Sequence, residues 1–212
     1  MHPYSTFTDI NVFKKFEELI KKHSIKTIFE TGTHGGITSK ILSHYVDEVI
    51  TVDIKQWQRT VDRLSSIGNI DYHIGDSADK IKELCENNHQ DILFFLDAHT
   101  PKESRILDEL DEIADKGIKP IIIVHDFKVP NNLFFTNDKH KGEDLSIELI
   151  QDKLDKIYGK NGFVYEYSKE FDFHNPFVYL DIDDHWESIF GDFVDPRHTT
   201  APGVIYIEPK EL

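Results

Sequence analysis

The sequence predicts an α/β fold in which a mostly parallel sheet is covered by helices on both faces. Short runs of β-branched and aromatic residues alternate along the chain with longer segments of helical periodicity. This alternation is typical of three-layer α/β/α sandwiches. Two more β-rich runs follow the last predicted helix, so seven strands are predicted in all.

The first predicted element is an N-terminal helix at about residues 9–23. Phe13 and Phe16 belong to a set of apolar residues that recur at helical spacing. Thr8 or Asp9 provides the side-chain oxygen that an N-cap requires. The apolar stripe predicts that this helix packs against the sheet.

Five strands and four helices are then predicted to alternate. The strand segments are short, mostly apolar and rich in β-branched or aromatic residues. The predicted strands cover 26–31, 48–53, 70–74, 91–97 and 119–126. The predicted helices cover about 35–45, 56–66, 77–87 and 103–116.

The carboxyl-terminal part contains a predicted helix at about 143–159 and predicted strands at 163–167 and 203–208. The segment at about 168–202 is rich in acids and aromatics but has no clear period, so we expect an ordered insertion rather than a linker. A chain of 212 residues suits one domain, and we expect a single domain over residues 1–212.

Composition limits the classes of partner. The formal net charge of −15 opposes binding to nucleic-acid phosphates, so no nucleic-acid partner is expected. No run approaches the roughly 18 apolar residues of a membrane span, and the first residues do not resemble a signal peptide. The single cysteine, Cys85, fits a reducing compartment. We therefore predict a cytoplasmic protein without a membrane partner; formation of a homo-oligomer stays open.

Residues 28–36 form the first candidate binding site. A predicted buried strand contains the acid Glu30 near its end, and Gly32, Gly35 and Gly36 lead into a helix. Glycines let the backbone approach a ligand closely, and the helix that follows offers unpaired N–H groups. Because the carboxylate repels a pyrophosphate, the turn favours a cationic or hydroxyl-bearing ligand such as S-adenosylmethionine.

The order of elements and this turn resemble the class I S-adenosylmethionine-dependent methyltransferases over nearly the whole chain. The first motif of that family, a strand-end acid followed by a glycine and a spaced glycine pair, is matched by Glu30, Gly32, Gly35 and Gly36. His34 departs from it, since many members have glycine there. This variant form is similar to O-methyltransferases of small molecules and sugars. The resemblance implies a Rossmann-like seven-stranded sheet with an antiparallel last strand.

The resemblance also implies how the methyl donor binds. Glu30 would anchor the amino-acid part of S-adenosylmethionine, and the turn 32–36, which includes Thr33, would wrap around it. Asp53 ends the second predicted strand, where a carboxylate can accept hydrogen bonds from both ribose hydroxyls. The alternative for Asp53 is the N-cap of the next helix.

Two further strand ends carry candidate site residues. Asp76 and Ser77 follow the third strand and resemble the family's adenine-binding turn, but these residue types are equally suited to a helix cap. Asp97 and His99 follow the fourth strand and resemble an Asp-Ala-His segment of some O-methyltransferases, which implies a place beside the donor and the acceptor. The alternative is a local capping role.

His125 and Asp126 end the fifth strand. Metal-dependent relatives have Asp-Asp or Asp-Asn here, so the resemblance offers Asp97, His125 and Asp126 as ligands of a divalent metal. The imidazole favours manganese, iron or zinc over magnesium. A core histidine is the alternative for His125. The candidates for the catalytic base are His99, His125 and Asp126, with Asp97 beside them.

The resulting functional hypothesis is S-adenosylmethionine-dependent methyl transfer to a hydroxyl of a small molecule, such as a sugar or a polysaccharide precursor. Three alternatives stay open: a non-catalytic binding protein, a metal-dependent oxygenase on the same fold, and an NAD-dependent oxidoreductase. The last is disfavoured because the turn lacks the Gly-x-Gly that begins dinucleotide-binding loops.

Overall fold

A seven-stranded sheet forms the centre of the protein in a computed structural model that describes residues 6–87, 89–99, 104–172 and 201–210. The strands are β1 Thr27–Thr31, β2 Glu48–Asp53, β3 Ile70–Ile74, β4 Ile92–Leu96, β5 Ile121–Val124, β6 Phe163–Tyr167 and β7 Ile205–Pro209. The helices are α1 Ile10–His23, α2 Ile37–Leu42, α3 Gln58–Leu64, α4 Ser77–Leu84, α5 Ile106–Asp115 and α6 Ile147–Tyr158.

The strand order is β3-β2-β1-β4-β5-β7-β6. Neighbouring strands from β3 to β5 are parallel, whereas β7 is antiparallel to both β5 and β6. The predicted sheet, including its antiparallel last strand, is confirmed. The order reverses direction between β1 and β4, and parallel sheets of this kind bind ligands at the carboxyl edge beside such a reversal.

Strand register aligns the carboxyl ends of the central strands. Thr31 is opposite both Val52 of β2 and Leu96 of β4, and Leu96 is opposite Val124 of β5. The residues that follow these strands therefore emerge side by side at one edge of the sheet.

Apolar residues on the two faces of the sheet form two separate cores. Phe29 and Phe94 stack on one face, at a centroid distance of 5.5 Å, and pack with residues of α4, α5 and α6. Phe95 lies on the other face with residues of α1 and α2, and its ring contacts that of Phe16. Since adjacent strand residues point to opposite faces, near-continuous apolar strands are what a sheet covered on both sides requires.

The observed elements are mostly shorter than predicted. Asp9 caps α1, as expected, by accepting a hydrogen bond from the backbone N–H of Asn11 at 2.9 Å. The predicted helix at 143–159 begins only at Ile147, because Glu143 and Asp144 pair with Lys139–His140 in a short hairpin.

The predicted insertion at 168–202 lies mainly outside the described residues. At its end, Ala201–Pro202 pairs with Phe135–Thr136. Among the residues described, no helix has both the length and the apolar character that crossing a membrane requires.

Replacing Phe95 by alanine is expected to lower the free energy of unfolding by about 3–5 kcal/mol, because a buried ring is lost and a cavity is left. Its side chain is fully buried and packs edge-on against Phe16 at a centroid distance of 5.2 Å. Urea unfolding followed by circular dichroism measures the change. The control is Leu133→Ala, at a residue that is 98% exposed, which should stay within about 0.5 kcal/mol of the wild type. Equal losses in both variants would contradict this assignment.

Candidate active site

The glycine turn after β1 is packed tightly against the segment after β4. Gly32 has φ +86°, and a Cβ added there would lie 2.6 Å from the carbonyl oxygen of Asp97. The N–H of Gly32 donates to the carbonyl of Val52 at 2.8 Å. Gly36, at φ +71°, precedes α2. Only glycine satisfies both the close approach and the positive φ at Gly32, so the turn is held against β2 and β4 by its backbone.

Glu30 lies beneath this turn in a buried hydrogen-bond network. Its side chain is 1% exposed, and its Oε2 accepts hydrogen bonds from the hydroxyl of Thr51 at 2.6 Å and from that of Ser39. Burial raises the pKa of Glu30 to about 7, although these hydroxyls oppose the rise. The hydroxyls of Thr33 and Thr51 are 2.7 Å apart, which joins the turn to the network. Glu30 thus supports the turn from inside the protein.

Asp53 connects the turn to the loop after β2. Its Oδ2 accepts a hydrogen bond from the N–H of His34 at 2.7 Å, and its Oδ1 accepts one from the N–H of Lys55 at 3.0 Å. The N-cap position of α3 is occupied by Trp57, so the predicted alternative of a cap at Asp53 is not what the structure contains. Each carboxylate oxygen can accept a further hydrogen bond.

Asp76 adopts the capping role that the sequence left open. Its Oδ1 accepts from the N–H groups of Ala78 and Asp79 at 3.1 and 3.4 Å, and Arg105 forms an ion pair with it at 2.9 Å. Ser77 is 5% exposed. Adenine recognition by Asp76 and Ser77 stays a prediction.

Glu109 of α5 is a buried acid that the sequence interpretation missed. Its carboxyl is 1% exposed, and burial raises its pKa to about 7 against the opposing influence of the Ser77 and Thr31 hydroxyls. Within the described ranges, neither carboxyl oxygen forms a hydrogen bond of regular geometry. Glu109 occupies the apolar stripe of its helix beside Ile106 and Leu110, which is a signal that the sequence contained.

His125 joins the two acids that follow β4 and β5. Its Nδ1 lies 3.1 Å from Oδ1 of Asp97 and 3.1 Å from Oδ2 of Asp126. Burial by itself lowers the pKa of His125, but the two carboxylates outweigh it and raise the pKa well above 6.5. The carboxylates thus favour the imidazolium form, and Nδ1 lies within hydrogen-bond distance of both. This makes His125 a poor general base.

His99 lies over the same acids and is more accessible. Its side chain is 44% exposed, and its Nδ1 is 3.8 Å from Oδ1 of Asp97, 3.8 Å from Oδ2 of Asp126 and 3.4 Å from Oδ2 of Asp138. Asp138 was not predicted as a site residue. Its N–H donates to the carbonyl of Asp126 at 2.8 Å, and burial raises the pKa of its carboxyl. The loop after β5 thus brings a third acid to the cluster.

One combination of these side chains has the geometry of a metal site. Ligand atoms of Asp97, His99 and Asp126 lie within 4.8 Å of one another. This set has His99 where the sequence suggested His125, whose Nδ1 is engaged with both carboxylates. Two carboxylates and one imidazole are suitable ligands for a divalent cation such as manganese, iron or zinc.

Comparison with known proteins identifies the fold. No protein-family model and no curated protein sequence matches the chain. A protein assigned as an O-methyltransferase from Klebsiella pneumoniae is 13% identical, with a TM-score of 0.58 over 95% of this chain and 80% of that protein. An rRNA methylase from Streptococcus thermophilus is 12% identical, with a TM-score of 0.55 over 94% of this chain and 97% of that one.

A third solved structure contains a ligand. A protein assigned as a methyltransferase from Streptococcus mutans, in complex with S-adenosylhomocysteine, is 12% identical, with a TM-score of 0.53 over 93% of this chain and 97% of that protein. At such low identity these likenesses show the fold alone. The chain has the class I methyltransferase fold, as the resemblance implied.

The raised pKa of Glu30 predicts a specific dependence of stability on pH. The folded state binds the proton of Glu30 more tightly than the unfolded state, so its stabilisation is complete below about pH 4.5 and is lost as the pH rises to about 7. Between pH 5 and pH 8 the wild type should therefore lose roughly 2 kcal/mol of unfolding free energy that Glu30→Gln, which lacks this titration, does not lose.

Urea unfolding at both pH values measures this difference. Glu143→Gln, at an exposed residue, is the control and should show the pH dependence of the wild type. A constant difference between Glu30→Gln and wild type across this range would exclude a titrating Glu30.

Proposed function

We propose that this chain, which has the class I methyltransferase fold, transfers the methyl group of S-adenosylmethionine to a hydroxyl of a small molecule, such as a sugar or a polysaccharide precursor. One observation carries the proposal. The glycine turn with Asp53 and the cluster of Asp97, His99 and Asp126 lie at the same carboxyl edge, joined where Gly32 packs on the backbone of Asp97. A donor turn and a proton-accepting cluster are the two parts that methyl transfer needs.

The donor half of the proposal rests on Asp53 and the backbone of the turn. Both carboxylate oxygens of Asp53 are already oriented by backbone N–H groups, so the carboxylate is fixed before the ribose hydroxyls arrive. Preorganisation of this kind reduces the entropy lost on binding. The backbone of Asp97 packs against the turn, and its carboxylate at this edge would stabilise the positive sulfonium. Glu30 acts through the turn in this proposal, because its carboxyl is buried.

The chemical step requires alignment and removal of one proton. The acceptor oxygen attacks the methyl carbon, and the carbon–sulfur bond breaks with its electron pair passing to sulfur. We assign the base to His99, because its ring is accessible and its Nδ1 faces three carboxylates that stabilise the imidazolium formed. His125 lies between Asp97 and Asp126, whose carboxylates favour its protonated form and so disfavour it as the base.

The same cluster supports a metal-assisted form of this reaction. Asp97, His99 and Asp126 would hold the divalent cation, which supplies a positive charge that lowers the pKa of the acceptor hydroxyl. His99 then serves as a ligand, and proton removal passes to a neighbouring carboxylate. The convergence of the three ligand atoms is the observation that favours this form.

The choice of a small acceptor rests on charge. Two structural neighbours with TM-scores above 0.5 are assigned as rRNA methylases, but the net charge of −15 and the acids around His99 oppose the approach of a polyanion. The proposal therefore keeps a small molecule as the acceptor. The proposed cytoplasmic location rests on the single cysteine.

Asp53→Asn is expected to weaken binding of S-adenosylhomocysteine about 10- to 100-fold, because charge-assisted hydrogen bonds to the ribose are weakened. Isothermal titration calorimetry measures the affinity. Asp115→Asn, at the exposed end of α5 away from the carboxyl edge, is the matched control and should bind as the wild type does. Binding of NAD but not of S-adenosylhomocysteine to the wild type would contradict the proposed function and favour an oxidoreductase.

Manganese is expected to raise the melting temperature of the wild type. Asp126→Asn and His99→Ala should each need about ten times more manganese for the same rise, because one of three ligands is lost. Differential scanning fluorimetry with a manganese titration measures it. His44→Ala, at an exposed histidine of the loop after α2, is the control. If manganese leaves the wild type unchanged while S-adenosylhomocysteine stabilises it, the metal-assisted form is wrong and His99 acts as base.

A further inference from the structure

Two cations share one indole ring at the rim of the candidate active site. Nζ of Lys55 lies 4.2 Å from the centroid of the Trp57 ring, and the guanidinium carbon of Arg59 lies 5.5 Å from it. Both cationic side chains are exposed, whereas Trp57 is partly buried. These three residues are called the basic rim below.

The basic rim is unusual in so acidic a chain. Twelve lysine and arginine residues form ion pairs with carboxylates in the described ranges. Lys55 and Arg59 have no carboxylate partner among the described residues, and their contacts are with Trp57 and His34. Both cations lie beside the same ring, and cations without a carboxylate partner favour the binding of an anion.

His34 fixes the basic rim to the donor turn. A nitrogen of Arg59 lies 3.0 Å from Nε2 of His34, and the N–H of His34 donates to Asp53. Burial and the charge of Arg59 lower the pKa of His34, so the neutral ring accepts the hydrogen bond from the guanidinium. Gly32 of the same turn packs on the backbone of Asp97, so the turn lies between the basic rim and the acid cluster.

We propose that Lys55, Arg59 and Trp57 form a subsite for a phosphate ester group on the acceptor. The proposal rests on the function proposed above and defines its substrate class as phosphorylated small molecules. Two cations match the double charge of a phosphate monoester, and the guanidinium fork suits its oxygens. The indole ring, which both cations contact, holds them at the rim. Since the whole chain carries −15, an anionic acceptor needs such a local site.

Phenyl phosphate is a direct probe of the basic rim, and benzyl alcohol is its uncharged counterpart. Calorimetry in the presence of saturating S-adenosylhomocysteine should detect phenyl phosphate binding and much weaker binding of benzyl alcohol. The indole ¹H–¹⁵N signal of Trp57, assigned by its loss in Trp57→Phe, should shift during the titration. Lys55→Gln/Arg59→Gln should weaken phenyl phosphate binding about tenfold or more, as two charge-assisted contacts are lost.

The matched control is Lys119→Gln/Lys160→Gln, which removes the same charge at exposed residues away from the rim. It should keep wild-type affinity for phenyl phosphate, and both double variants should keep wild-type affinity for S-adenosylhomocysteine. Equal phenyl phosphate affinity in the rim variant and wild type would overturn the proposal. A parallel loss of S-adenosylhomocysteine affinity in the rim variant would also overturn it, since the cations would then serve the donor.

A single-stranded RNA oligonucleotide completes the experiment. If it binds the basic rim more tightly than phenyl phosphate, with a steep dependence on salt, the small-molecule assignment is overturned in favour of nucleic acid. The proposed function fails in a different way, namely by absence of S-adenosylhomocysteine binding to the wild type. In that case phenyl phosphate binding that depends on Lys55 and Arg59 would still identify the subsite.

Discussion

The packing of Gly32 against the backbone of Asp97 is the constraint on which the candidate site depends. The N–H of Asp97 donates to the carbonyl of Thr31 at 3.1 Å, which continues the pairing of β1 with β4 to the edge of the sheet. A side chain at Gly32 would push these segments apart, since its Cβ would lie 2.6 Å from the Asp97 carbonyl oxygen. The donor turn and the acid cluster are therefore one rigid unit, and the distance between a bound donor and the proposed base is set by the sheet.

Negative charge at this edge is partly compensated within the cluster itself. Asp97 and Asp126 both contact the imidazole of His125, so one internal positive charge lies between two negative charges. An imidazolium at His125 reduces the repulsion between these two carboxylates. Asp138 adds a third acid from a loop. A cluster with this net negative charge suits a sulfonium, a divalent cation or an imidazolium formed during proton transfer.

Periodicity predicted the strands, the sheet and the strand-end positions of Asp53, Asp97 and Asp126, because a buried parallel strand has a distinctive composition. It did not decide what each side chain contacts. Asp76 caps a helix because Arg105 and two N–H groups surround it, and Asp138 reaches the site only through the fold of its loop. The buried position of Glu109 was detectable from the apolar stripe of its helix. The periodicity of a strand or helix does not show which residues from other elements a side chain contacts.

His34 connects the two parts of the site and accounts for the departure from glycine. Its φ of +46° is left-handed, and a residue with a Cβ pays roughly 1 kcal/mol for that conformation. Glycine at this position would remove the strain and would also remove the ring that accepts from Arg59. Its backbone N–H on Asp53 would stay, so glycine would keep the contact on which the proposed donor site depends. The imidazole contacts the guanidinium at the rim, so in the proposed subsite the unusual residue of the turn would serve recognition of the acceptor.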